Sequence, residues 1–168
     1  MLNFFMLKIK KMLRCFFLHP NIYFRTKSFN QEEIEKQIRG IDSAISRFEL
    51  DKDITTYRGT NLLEFGRDVY TEDDLKQLIG KDITLKGYTS TSTDISIADG
   101  FFNGEVLMEC FIPKSKGLGA YMDYITEMDN VPDDERESEI MLKRDTQVVI
   151  DGVNTRQDGK IIVKVRVK

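Results

Sequence analysis

Glu137-Ser138-Glu139-Ile140-Met141-Leu142 is the stretch on which the reading of this chain turns. It sets two carboxylates two residues apart and runs at once into three apolar side chains. In a strand, residues i and i+2 face the same way, with α-carbons about 6.5–7 Å apart. The spacing therefore predicts Glu137 and Glu139 on one face of a site, Ser138 on the other, and a short apolar strand through Leu142. One such carboxylate can stabilise positive charge developing in a reacting group, while the other holds and deprotonates an incoming nucleophile. Taken alone, the pair reads as readily as a solvated acidic turn, because Asp133, Asp134 and Glu135 come just before it.

Two upstream segments change that balance. Tyr88-Thr89-Ser90-Thr91-Ser92 alternates as a strand does, and the Ser90 hydroxyl could fix the rotamer of a carboxylate. Further upstream, Ile54-Thr55-Thr56-Tyr57-Arg58 predicts a strand with Arg58 at its end and Gly59 after it. An arginine so placed can make charge-assisted bonds to a pyrophosphate. By themselves, a Ser/Thr-rich strand is commonly an exposed edge and a single arginine commonly a surface residue. No glycine-rich phosphate loop of either common nucleotide-binding type is present, so a nucleotide would have to be held otherwise.

Composition narrows the chemistry. At 168 residues the chain can build one core of ordinary size, and 40% hydrophobic with 32% charged residues is a globular composition. A net charge of −3 gives no general affinity for nucleic acid. Two cysteines, Cys15 and Cys110, and one histidine, His19, argue against a thiolate–imidazole zinc site and against a Cys–His nucleophile pair. Catalysis would therefore run on carboxylates, hydroxyls, arginines or a bound cofactor, with no metal.

The first 28 residues stand apart. Phe4, Phe5, Leu7, Ile9, Met12, Leu13, Phe16 and Phe17 are interleaved with Lys8, Lys10, Lys11 and Arg14, too interrupted by charge for a membrane span. The pattern is that of a basic amphipathic leader, which could pack on a neighbouring domain or lie on an anionic membrane. It lacks the order of an ordinary secretory signal, so cytoplasmic production is the expectation, with a secreted or translocated toxin as the alternative.

Beyond the leader, Asn30 and Glu33 predict a helix start, and Phe29 and Ile34 are spaced as a staple across it. Ile34, Ile38, Ile41, Ile45 and Phe48 then follow helical spacing. A second helix opens at Thr71, with Asp74 placed for a capping box and Tyr70 and Leu75 for a staple, and stops at Gly80. A third is expected over 94–102. Strands are predicted over 106–112, 117–122, 148–153 and 161–167. In the last of these Val163, Val165 and Val167 share one face. Helices first and strands afterwards indicate an α+β fold.

Taken in order, Tyr57-Arg58-Gly59, Tyr88-Thr89-Ser90-Thr91-Ser92 and Glu137-Ser138-Glu139 resemble the bacterial mono-ADP-ribosyltransferase exoenzymes, among them the enzymatic components of clostridial-type binary toxins. The resemblance spans roughly residues 30–168 and includes Ile112-Pro113-Lys114-Ser115-Lys116-Gly117-Leu118-Gly119-Ala120-Tyr121 between the second and third motifs. It implies a leader over 1–28 followed by a catalytic domain over 29–168. The implied fold has a two-sheet β core around an NAD cleft with flanking N-terminal helices.

NAD would be a co-substrate. Its binding set would be Arg58 on the phosphate together with Tyr57, Gly59, Thr91, Ser92, Phe101 and Phe102. The implied catalytic set is Glu139 on the nicotinamide ribose, Glu137 on the acceptor and Ser90 ordering the site. Family members that modify asparagine carry Gln where Glu137 stands, so the resemblance favours a protein arginine as acceptor. Water as acceptor, in an NAD glycohydrolase, or an inactive partner-binding module are the alternatives.

Two departures from the family pattern stand out. Phe101-Phe102-Asn103-Gly104-Glu105 keeps the aromatics of the loop after the Ser–Thr–Ser strand but lacks its arginine. The expected substrate loop, 123–136, carries Asp129, Asp133, Asp134 and Glu135 in place of an aromatic just before the carboxylates, which implies an acceptor arginine in a basic surface.

Overall fold

A computed structural model describes residues 31–100, 105–115, 117–122 and 138–168. The leader, the loop 101–104 with Phe101 and Phe102, and the segment 123–137 with Glu137 lie outside the described residues, as do the Asn30 cap and the Phe29 half of its staple.

The chain begins with helix α1 (Gln31–Ile45), whose isoleucines recur at helical spacing. Ile41 and Ile45 are buried, while Ile34 and Ile38 are half-buried. Strand β1 (Ile54–Thr60) follows, then a 3-10 turn (Leu62–Phe65), helix α2 (Glu72–Lys76) and strands β2 (Asp82–Leu85) and β3 (Thr89–Ser92). Helix α3 (Ile95–Gly100) leads to β4 (Val106–Ile112), β5 (Gly119–Tyr121), β6 (Glu139–Leu142), β7 (Thr146–Thr155) and β8 (Ile161–Val167).

The expected capping box of α2 is present. Thr71 accepts from the Asp74 amide, and Asp74 accepts from the Thr71 amide at 2.9 Å. The expected staple is only half made, since Leu75 is fully buried but Tyr70 is 67% exposed. Helix α2 also ends earlier than expected, at Lys76, and a turn carries the chain to Gly80. Strands interleave with helices more than expected, and both β2 and the 3-10 turn are additions to the sequence-based expectation.

The eight strands form one hydrogen-bonded sheet in the order β2-β7-β8-β4-β1-β3-β6-β5. Its two halves differ at their join. β1 and β4 pair along their whole length, whereas β1 meets β3 at Tyr57↔Ser92. The implied two-sheet core is thus realised as a large limb, β2-β7-β8-β4-β1, and a small limb, β3-β6-β5. The limbs share one apolar core, in which Ile140 and Leu142 of β6 pack with Val106, Met108, Ile112, Ile150, Val163 and Val165. Helix α1 covers the other face of the small limb, with Ile41 and Ile45 against Tyr88, Ala120, Met122 and Met141. The chain after α1 is pinned by the Gly117 amide, which donates to the Phe48 carbonyl at 2.8 Å. Gly117 has φ +78, and a Cβ there would sit 3.3 Å from the Ser46 α-carbon, so glycine suits both the turn and the approach. Among the described residues no helix is long and apolar enough to cross a membrane.

Candidate active site

The small limb carries Ser90 and Glu139, two of the three expected catalytic residues. β3 and β6 pair from Ser92↔Glu139 to Thr89↔Leu142. The two-residue period then puts Ser90, Ser92, Glu139 and Met141 on one face and Thr89, Thr91, Ile140 and Leu142 on the other. The first face carries the polar groups, and the second feeds the shared core. Ser90 and Glu139 are diagonal neighbours, a separation that a long side chain spans. The Ser90 hydroxyl donates to Glu139 Oε1 at 2.6 Å. Glu139 is buried, 5% exposed, so the bond holds a carboxylate that has lost most of its water. A hydrogen bond to a charged group contributes roughly 1.5–3 kcal/mol.

Arg58 comes in from the large limb. Its Nη1 donates to the Ser90 carbonyl at 3.0 Å, and its Nη2 lies 3.5 Å from Glu64 Oε2. The Arg58 side chain is 14% exposed, so it meets these partners largely out of solvent. Ser90 is the meeting point, with its hydroxyl on the glutamate and its carbonyl on the arginine. Arg58 was expected at the strand end, but it lies inside β1, which runs on through Gly59 and Thr60. The reason is the ladder with β4, where Gly59↔Leu107 and Thr60↔Val106 continue the pairing.

The expected spacing of the two glutamates falls on Glu137, which lies outside the described residues. Ser138 has φ 44, a left-handed conformation uncommon for a residue with a side chain. β6 starts at Glu139, directly after this turn. The turn is held by the Thr93 amide, which donates to the Ser138 carbonyl at 3.0 Å. Periodicity alone cannot see this, because a tertiary hydrogen bond decides the backbone conformation at Ser138.

The other expected site residues fall as follows. Tyr57 is half-buried at the join with Ser92, and Gly59 is buried in β1. Thr91 is buried, and its hydroxyl donates to the Ile140 carbonyl at 2.9 Å. The Ser92 hydroxyl accepts from the Asp94 amide at 3.0 Å and so turns the chain into α3. Burial pushes the Cys110 thiol up to about 12, which keeps it protonated and makes it core rather than nucleophile. Among the described residues no group of three or more His, Cys, Asp or Glu could hold a metal ion.

Sequence reasoning missed Glu64 and Thr60. Glu64 Oε2 receives both the Arg58 guanidinium and the Thr60 hydroxyl, the latter at 3.2 Å. A signal was available. Asn61 caps the 3-10 turn by accepting from the Leu63 amide at 3.1 Å, and Asn followed three residues later by Glu is a helix-start pattern.

An α+β domain whose buried strand-end glutamate and half-buried arginine meet on one serine is the class that fold and site define. The family model described as ADP-ribosyltransferase exoenzyme matches residues 20–167, and the chain belongs to that family. Its structure is similar to Plx2a, an ADP-ribosyltransferase toxin from Paenibacillus larvae. The TM-score is 0.70 at 25% identity, over 99% of this chain and 83% of that one. It is also similar to the ADP-ribosylating toxin BECa of a C. perfringens binary enterotoxin, solved with NADH. There the TM-score is 0.74 at 21% identity, over 99% of this chain but 44% of that one. A third likeness is to C3stau2 from S. aureus, solved with NAD, with TM-score 0.61, 23% identity and coverage of 83% and 73%. No curated protein matches the sequence.

Proposed function

We propose that this domain transfers ADP-ribose from NAD to an arginine side chain of a target protein, releasing nicotinamide. The single observation that carries the reading is Ser90, which joins Glu139 at 2.6 Å and Arg58 at 3.0 Å. The solved relatives carrying NADH and NAD support the choice of dinucleotide.

In this reading NAD supplies the sugar–nicotinamide bond that breaks. Arg58 offers a guanidinium to its diphosphate, a pairing that planar donors suit. Glu139, fixed by Ser90, presents a preorganised negative charge to the sugar as positive charge builds on it. Preorganisation matters because a carboxylate already oriented and desolvated needs no rearrangement during the reaction. Glu137, from sequence, is assigned to the acceptor. A guanidinium with a pKa above about 12 is a poor nucleophile unless a placed base takes its proton. The acidic run Asp129, Asp133, Asp134 and Glu135 favours an acceptor arginine within a basic surface. The catalytic domain is assigned to residues 29–168, with 1–28 as a leader.

Labelled NAD with a lysate is the test. Expected is nicotinamide release together with labelled protein whose ADP-ribose is mapped to an arginine by mass spectrometry. Free ADP-ribose with no labelled protein would make water the acceptor, and no nicotinamide release at high NAD would make the domain a binding module.

A further inference from the structure

The strand pair that carries Ser90 and Glu139 has a second polar contact at the end away from Glu139. β3 and β6 are each four residues long. Tyr88 immediately precedes β3, and Arg144 follows β6 by two residues. Both reach one carboxylate, Asp42 of α1. The Tyr88 hydroxyl donates to Asp42 Oδ1 at 2.7 Å, with the Ile38 carbonyl 3.1 Å away. Arg144 Nε donates to Asp42 Oδ2 at 3.0 Å, and Nη2 lies 2.9 Å from the same oxygen. One helix side chain thus divides its two oxygens between the two strands of the site.

Tyr88 also stands on the Ser90 face. It is two residues from Ser90 and packs with Met141, the residue paired with Ser90, under Ile41 and Ile45. Its ring is buried, and burial together with the hydrogen bond to Asp42 pushes its hydroxyl above the usual phenol range. The hydroxyl therefore remains a donor at any working pH. A four-residue pair has little ladder of its own to resist sliding or splaying. Displacing one strand against the other would lengthen the Ser90–Glu139 bond before it disturbed the large limb, which meets β3 at Tyr57↔Ser92.

We propose that Asp42, Tyr88 and Arg144 are positioning residues that set Ser90 against Glu139, so that α1 governs catalytic competence without touching substrate. The inference rests on the proposed reading of the site. Its first observable is turnover, because Ser90 holds Glu139 through its hydroxyl, and the shared Ser90 carbonyl links the same element to Arg58.

The test is a double-mutant cycle between Tyr88→Phe and Ser90→Ala, read as nicotinamide release. Tyr88→Phe is expected to lower kcat about 10-fold, below the roughly 100-fold that a 1 Å misplacement can cost. The KM for NAD should rise by less than the fall in kcat, since the Ser90 carbonyl is only one of the Arg58 contacts. In the Ser90→Ala background the same change should cost nothing further, because the element it positions is gone. Asp42→Asn should repeat the pattern, and Arg144→Lys should restore part of the turnover lost in Arg144→Ala. An equal kcat loss in both backgrounds, a loss carried by KM, or an unchanged kcat would overturn the inference. Should wild type release no nicotinamide, the proposed function fails and the cycle is read by urea unfolding instead. Non-additive midpoints for Tyr88→Phe and Ser90→Ala would then uphold the positioning contact, and additive ones would overturn it.

Discussion

The two limbs of the sheet solve different problems. Apart from the four-residue β2, the large limb is long-stranded and apolar inward. Val163, Val165 and Val167 of β8 alternate with more exposed residues, and Val106, Leu107, Met108, Cys110 and Ile112 of β4 are all buried. The small limb has strands of three and four residues, and its buried positions include Thr89, Thr91, Ser92 and Glu139. Burying hydroxyls and a carboxylate is costly unless each finds a partner. The small limb meets that cost with Thr91 on the Ile140 carbonyl and Ser90 on Glu139. Apolar burial is therefore concentrated in the large limb and the proposed chemistry in the small one, which packs on α1 and on the shared core.

Glu139→Gln is the sharpest way to break this division. It keeps the shape and a hydrogen-bond acceptor but removes the charge, so nicotinamide release should fall ~10²–10³-fold or more. The melting temperature should change little or rise, since a buried charge is lost. A large drop in stability instead would mean that the glutamate is structural. Ile150→Ala should do the reverse. Ile150 is fully buried in the large limb, and truncation should cost about 2–5 kcal/mol in urea unfolding. The residual folded protein should keep its turnover per molecule, and a kcat loss beyond the unfolded fraction would show the limbs to be coupled.

A smaller effect is expected at Ser138, whose φ of 44 suits glycine better than serine. Ser138→Gly should gain up to about 1 kcal/mol from relieved strain, less the entropy glycine adds to the unfolded chain. A loss of stability would mean that the Ser138 side chain contributes more than its backbone costs.

The smallest effect is electrostatic and lies on the large limb. Hydrogen bonds from Lys160 and then Arg156 hold the Asp99 carboxyl of α3 below the usual carboxylate range. Arg156 holds Asp158 down at about 2. A depressed carboxylate stabilises the fold above its unfolded pKa, and that contribution disappears as pH falls through the folded value. Stability should thus decline from about pH 4 toward pH 2, where carboxylates with unfolded values near 3.9 regain their protons. Asp99→Asn should flatten that decline in a pH series of thermal melts. Since these groups are partly exposed, added salt should shrink the effect.

Much of the architecture was legible in the chain. The isoleucine spacing of α1, the Thr71–Asp74 box, β4 and the alternating valines of β8 are local patterns, and local patterns survive folding. The expectation that the Ser90 hydroxyl fixes a carboxylate rotamer matches its 2.6 Å bond to Glu139. What the sequence by itself determined was the family, the α+β class and which residue types meet.

Tertiary structure alone decided three things. It began β6 at Glu139, after a left-handed Ser138 whose carbonyl accepts from the Thr93 amide. It carried β1 past Arg58, through the backbone ladder with β4. It brought Asp42 onto both Tyr88 and Arg144 across 46 and 102 residues of chain. Each is a polar contact between distant segments. Periodicity reports which face a residue presents, whereas a hydrogen bond depends on where the partner's backbone comes to rest.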